Sequence, residues 1–273
     1  MQKLCLLSLV TLITACNLRP ASQKTSHDLI PDNTTAAELT QEAKDRLGLE
    51  IIALVTNPPE AMFNEMQEIP DKTMAAAIQK LIAQGANINI QDDNLLTPLH
   101  HIINSGSDIV FEAFLENNPD VNLADDSLET PLFYAIKAQN PLMVKLLLKH
   151  QADPNVRNIF QRTPLHEIVR AHHLVNESTE RTCTEIVELL LEYGTDITMV
   201  NNRNETPLEL ALFHSHVFTS FNIIKLILQY GARWGTYSEE DVISYITTYP
   251  KLAALGGIEE YPKQKLLKMD FKD

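Results

Sequence analysis

The stretch 161-QRTPLHEIV-169 contains a complete helix start. Thr163 can cap the first turn, Pro164 takes the first helical position, where an N–H has no partner anyway, and Leu165 points inward. Thr-Pro-Leu-His also stands at 97–100, and Thr-Pro-Leu recurs at Thr130 and Thr206. The first two intervals are 33 residues and the last is 43. A chain that opens the same helix four times at nearly one spacing is built from stacked copies of a single unit.

Each unit continues to an apolar pair, a tight turn and, in the earlier units, an Asn: "AFLENNPDVN", "LLLKHQADPN", "LLLEYGTDIT" and "LILQYGARWG". Upstream, "IQKLIAQGANIN" supplies the same ending without a Thr-Pro-Leu before it. These residues resemble the ankyrin repeat over about residues 74–235. The resemblance implies an all-α solenoid of about five helix-turn-helix units joined by hairpin loops, the first degenerate. Each second helix then buries residues at helical spacing, such as Val144, Leu147 and Leu148. His100 and His166 are repeat residues, expected to hydrogen-bond backbone at the turn and stitch repeats together, with Phe133 and Glu209 at the equivalent places. The family usually has Gly two residues before the Thr, where the hairpin needs φ > 0. Leu95, Leu128, Gln161 and Asn204 stand there instead, so strained or reshaped hairpins are expected.

Extra residues in the third unit ("NESTERTCT") and near "VFTS" in the fourth fall between first and second helices. An open stack exposes core, so caps are needed. Residues 36–73 read as an N-terminal helical cap, with Leu47, Leu49, Ile51, Ile52 and Leu54 before the Asn57-Pro58-Pro59 break. Residues 236–273 read as a C-terminal helical cap, opened by Ser238 to Asp241.

The first residues, "MQKLCLLSLVTLITAC", carry one early cation, an apolar run too short to span a bilayer comfortably, then small residues. Ile13-Thr14-Ala15-Cys16 resembles a bacterial lipobox, which implies a signal peptide over 1–15 and a lipid on Cys16. Residues 16–35 are polar, contain two prolines and read as a flexible tether. The expected place is the bacterial cell envelope, lipid-anchored. Because Asn17, not Asp, follows the Cys, the outer membrane facing the periplasm is favoured.

A formal charge of −14 argues against nucleic acid, whose binding depends on neutralising phosphates with Lys and Arg. No cofactor is implied: there is no Gly-rich phosphate loop. His172, His173, His214 and His216 lie one unit apart and could be imagined as a zinc site, with Cys183 as a further ligand. His at the places of His173 and His216 is nevertheless common in ankyrin units. The acidic runs "QDD" and "ADD" read as turn caps or solvated tips. No separate catalytic domain fits outside the repeats, so an enzyme is not expected.

The reading that follows is a membrane-tethered protein-binding module, with another protein as partner. The alternatives are a metal-handling or enzymatic protein using the histidines, and a host-directed bacterial ankyrin effector. Ankyrin proteins bind through hairpin tips and the exposed side of the first helices. Carried over, these are Asp93, Asn94, Leu96, Asn104 and Ser105, then Asp126, Ser127, Glu129 and Lys137. The third unit gives Ile159, Phe160, Arg162 and Arg170; the fourth gives Asn202, Arg203, Glu205, Phe213 and His214. Aromatic and Arg side chains dominate binding energy at interface centres. The binding centre is therefore expected across the third and fourth units.

Overall fold

A computed structural model of the chain describes residues 39–59, 62, 71–171, 177–213 and 221–232. The chain forms two compact units, Met1–Asn87 and Ile88–Asp273. In the first, α1 (Gln41–Thr56) starts at Thr40, whose hydroxyl accepts the Ala43 N–H, and packs on α2 (Asp71–Ala83). Gly48, Ile51 and Ile52 of α1 and Met74 and Ile78 of α2 are their buried positions, while Leu49 stays exposed. Asn87 closes this pair: its N–H donates to the Lys44 carbonyl at 2.9 Å and its Nδ2 to Asp45 Oδ1 at 2.7 Å.

The described residues of the second unit form four helix pairs: α3 (Pro98–Ser105) with α4 (Asp108–Leu115), α5 (Pro131–Lys137) with α6 (Pro141–Lys149), α7 (Pro164–Ala171) with α8 (Glu177–Glu192), and α9 (Pro207–Phe213) with α10 (Phe221–Gln229). The first helices contact one another in the order α3, α5, α7, α9, and the second helices in the order α4, α6, α8, α10. The result is two layers of helices with apolar faces turned inward, and no strand among the described residues. Each first helix begins with Pro, where the missing N–H is no loss. As expected from the spacing, Val144, Leu147 and Leu148 are buried, together with Leu99, Leu132, Leu165 and Leu208 of the four Thr-Pro-Leu starts.

The extra residues of the third unit lengthen its second helix: α8 has 16 residues where α6 has 9. Cys183 therefore sits on a helix, fully buried. Burial pushes its thiol up to about 11, which leaves it a core residue and a poor nucleophile.

The four hairpins that lead into the first helices share one geometry. Asp92, Asp125, Asn158 and Asn201 each close a five-residue loop: their N–H groups donate to the carbonyls of Leu96, Glu129, Arg162 and Glu205 at 2.9–3.0 Å. Leu95, Leu128, Gln161 and Asn204 take the left-handed position at φ 60°, 59°, 56° and 61°. The hairpins at Leu95, Leu128 and Gln161 are thus strained, because the loop's hydrogen bonds demand positive φ whatever residue stands there, whereas Asn204 tolerates it.

Two stability measurements check this architecture. Leu147→Ala should lower unfolding free energy by roughly 2–5 kcal/mol, the range for a fully buried leucine, whereas Lys145→Ala on the exposed face should move it within about 0.5 kcal/mol. Leu128→Gly should stabilise, by about 0.5–1 kcal/mol, because relief of a left-handed leucine exceeds the entropy lost with glycine. A drop in urea midpoint for Leu128→Gly would show that its half-exposed side chain contributes more packing than its backbone costs.

Candidate functional site

The hairpin edge and the first-helix layer carry the polar side chains that can meet a partner, and their local order is set by buried hydrogen bonds. In each hairpin the leading Asp or Asn also caps the turn. Asp92 Oδ1 accepts from Asn94 and Leu96, Asp125 Oδ1 from Ser127 and Glu129, Asn158 Oδ1 from Phe160 and Arg162, and Asn201 Oδ1 from Arg203 and Glu205, all at 2.8–3.1 Å. The leading residues of "DD" in the first two units are therefore turn caps. Neighbouring hairpins are tied by single backbone bonds: Asp126 N–H to the Asn94 carbonyl, Ile159 to Ser127 and Asn202 to Phe160, at 3.0–3.2 Å.

Beneath the hairpins, His100 and His166 fasten one repeat to the next. The Thr97 and Thr163 N–H groups donate to Nδ1 at 3.0 and 3.2 Å, so Nδ1 is the bare nitrogen. Nε2 then carries the proton and donates to the next unit's carbonyl, Glu129 at 3.3 Å for His100 and Glu205 at 3.0 Å for His166. Burial lowers both imidazoles to about 4. This is the stitching role expected from the repeat, and it occupies both ring nitrogens. Glu209 reproduces half of it: its carboxylate accepts the Thr206 N–H at 2.6 Å and the Thr206 hydroxyl at 2.9 Å.

A second ladder was less legible. Asn89, Asn122 and Asn155 accept, through Oδ1, the N–H of Asp120, Asp153 and Asp196 in the following unit at 2.9, 2.9 and 2.7 Å. The recurring Asn at the end of each apolar pair signals it, but a single Asn is also an ordinary turn residue.

On the face of the first helices, the acids of the early units that lie beside the hairpins are engaged by their own side chains. His101 Nε2 meets Asp92 Oδ2 at 2.9 Å. Burial opposes ionisation of Asp92, yet that contact and the N–H groups of Leu96 and Asn94 together hold its carboxyl below the usual range. The Tyr134 hydroxyl donates to Asp125 Oδ2 at 2.7 Å, and burial with this bond pushes the phenol up. Lys137 pairs with Glu129 and lies 5.7 Å from the Tyr134 ring centre.

The third and fourth units differ. Ile159 and Phe160 are 51% and 45% exposed at the hairpin tip, so Phe160 is not folded under its own loop. The Arg162 guanidinium lies over the Phe160 ring, 5.0 Å from its centre. Arg170 is held by Glu167, Nη2 to Oε1 at 2.6 Å, and Arg203 is exposed at the next hairpin. Of the residues expected to bind a partner, Ile159, Phe160, Arg162, Arg170 and Arg203 are thus brought to one edge. Phe213 ends α9, and nothing further of its side chain is described; His214 lies outside the described residues, as do His172, His173, His216 and Cys16. The described residues contain no group of three or more His, Cys, Asp or Glu placed to hold a metal ion.

A family model described as ankyrin repeats (3 copies) matches residues 71–158 and 144–237, well over half of the chain. The chain belongs to the ankyrin-repeat family. A comparison with individual curated proteins gave no match. Ankyrin repeats are in general modules for binding other proteins, not enzymes.

The histidine ties give the ankyrin stack an acid-side weakness. An unfolded imidazole titrates near 6.5 and the folded ones near 4. Below about pH 6.5 the unfolded chain takes up protons that the folded chain refuses, so this stability is present above that pH and drains away as pH falls toward 4. The loss between pH 7 and pH 5 should be about 2 kcal/mol per histidine. In urea titrations His166→Gln should be less stable at pH 7 but lose correspondingly less on acidification; an unchanged pH slope would contradict the assignment.

Proposed function

We propose that this ankyrin protein is a membrane-tethered binding module that holds a partner protein along the hairpin tips and first helices of its third and fourth units. The observation that carries the reading is the pair Ile159–Phe160, apolar side chains left half in solvent on a hairpin whose backbone is fixed on both sides. A large exposed apolar side chain on a pre-ordered edge is free to bury area on binding without an ordering cost. Arg162, Arg170 and Arg203 beside it supply the planar charged groups that concentrate binding energy at interface centres.

The tether rests on sequence. The apolar leader and Ile13-Thr14-Ala15-Cys16 favour lipidation at Cys16, with the polar stretch to residue 35 as spacer between membrane and repeats. No helix of the described residues is long and apolar enough to cross a membrane, and two or three acyl chains would give lasting attachment without one. The envelope location, and the outer membrane facing the periplasm within it, follow from the same motif and from Asn17.

Two experiments test the two halves separately. Affinity capture from envelope extracts with Phe160→Ala combined with Arg203→Ala should retain the partner at least tenfold less well, about 1.4 kcal/mol, with unchanged helical content. If capture is unaffected while Asp93 and Asp126 substitutions abolish it, the binding edge lies on the early units. Cys16→Ala should move the protein out of the membrane fraction or leave it unprocessed; normal maturation and membrane residence after that change would remove the lipid anchor from the account.

A further inference from the structure

Arg162 is the odd residue in its column of the stack. The equivalent places in the other units hold Leu96, Glu129 and Glu205, and both glutamates are buried and hydrogen-bonded by Asn side chains: Asn158 Nδ2 donates to Glu129 Oε1 at 3.3 Å, and Asn201 Nδ2 to Glu205 Oε2 at 2.8 Å. Arg162 has no such partner. Its Nε is withdrawn from solvent and makes no hydrogen bond, the one buried side-chain nitrogen or oxygen left so among the described residues. An unmade bond of this kind costs roughly 1–3 kcal/mol.

The surroundings deepen the imbalance. Burial, then the charges of Arg170 and Arg203, push the Arg162 guanidinium below its ordinary value, with Glu167 and Glu205 opposing them. Glu167 is nonetheless committed to Arg170 through both oxygens, at 2.6 and 3.4 Å. Arg203 makes no ion pair among the described residues. Three arginines therefore gather on one edge of a chain whose net charge is −14. Beside them lies an apolar ledge of Leu128, Ile159 and Phe160, each about half exposed.

We infer that this edge is built to receive an acidic segment of a partner protein, one carboxylate pairing with Arg162 and Arg203 and a neighbouring apolar side chain resting on Ile159 and Phe160. Charge complementarity selects the occupant. The guanidinium of Arg162, already placed over the Phe160 ring, is a planar fork of the kind that matches a carboxylate in two-point geometry. Acidic residues over the rest of the chain repel an anionic lipid surface or a nucleic acid, whereas a short peptide can reach Arg162 and Arg203, neither of which is ion-paired among the described residues. This inference rests on the proposed binding edge and adds the partner's chemistry to it.

The test uses full-length protein labelled with ¹⁵N and two peptides, acetyl-Gly-Glu-Leu-Glu-Phe-Glu-Gly-amide and its counterpart with Gln for every Glu. The acidic peptide should cause saturable shifts in the Arg162 Nε–Hε signal and in the backbone signals of Phe160 and Arg203, with a dissociation constant at least fivefold lower than for the Gln peptide. Arg162→Gln should abolish that preference while leaving the spectrum elsewhere unchanged. Equal binding of the two peptides, shifts centred on the early units, no saturable shift at all, or stronger retention on phosphatidylglycerol vesicles than on phosphatidylcholine vesicles would each overturn the inference. If the partner captured from envelope extracts is lost on Phe160→Ala with Arg203→Ala yet kept on Arg162→Gln, the binding edge stands and the carboxylate assignment falls.

Discussion

Two of the three seams between the Thr-Pro-Leu units depend on a buried histidine that reaches across to the next unit's hairpin carbonyl. The carbonyls of Glu129 and Glu205, just before the next Thr-Pro-Leu, are met by the Nε2–H of His100 and His166. Each of these carbonyls also accepts the closing N–H of its own hairpin, from Asp125 and Asn201, so the histidine adds a second donor that crosses the seam. The histidine can serve only while neutral, because Nδ1 must remain an acceptor for the Thr N–H. One ring thereby completes the cap of its own helix and the seam to the next. Phe133 cannot do this at the boundary between the second and third units. There the seam is carried by Asn158 Nδ2 on the Glu129 carboxylate and by the Ile159–Ser127 backbone bond. The boundary that has lost its histidine is also the one where Arg162 stands unpaired.

The helical scaffold was legible because it is written in short-range chemistry: Thr and Pro at helix starts, apolar pairs at helical spacing, and a period too regular for chance. Val144, Leu147 and Leu148 fall in the core because nothing but burial explains their spacing. What sequence could not resolve is how each departure from the repeat would be absorbed. Leu95, Leu128 and Gln161 at a left-handed position allow either a remodelled loop or strain, and the choice depends on the leading Asx side chain and the closing backbone bond, both long-range in effect. Cys183 falls within the extra residues of the third unit, which by sequence could extend a helix or form a loop; they extend the second helix, α8, and bury the thiol. The Asn89–Asn122–Asn155 ladder is equally hidden, because each Asn taken singly looks like a turn residue.

The binding edge was legible in type but not in geometry. Phe160 and Arg162 stand out by residue class, yet only the fold shows that the ring is half exposed and that the guanidinium lies against it. Sequence spacing likewise places Arg170 one turn from Glu167 without showing that this carboxylate is spent on Arg170 and not shared with Arg162. Ion pairing within a cluster is decided by which acid is already engaged, and that is a three-dimensional property.

Strain and exposure at the hairpins have a common origin. A glycine at the left-handed position would leave the tip bare, whereas a leucine there accepts unfavourable backbone geometry and projects an apolar side chain from a turn that cannot turn it inward. Leu95 and Leu128 are both about half exposed for this reason. In the third unit the residue is Gln161, and the apolar surface moves two and one residues back to Ile159 and Phe160, where no positive φ is required. The edge thus changes along the stack from strained leucines over hydrogen-bonded acids to an aromatic ring beside an arginine without an ion pair. Strain without a local compensating contact persists where the surrounding structure fixes it, and here the fixing is done by the same Asx bonds that hold the tips in register.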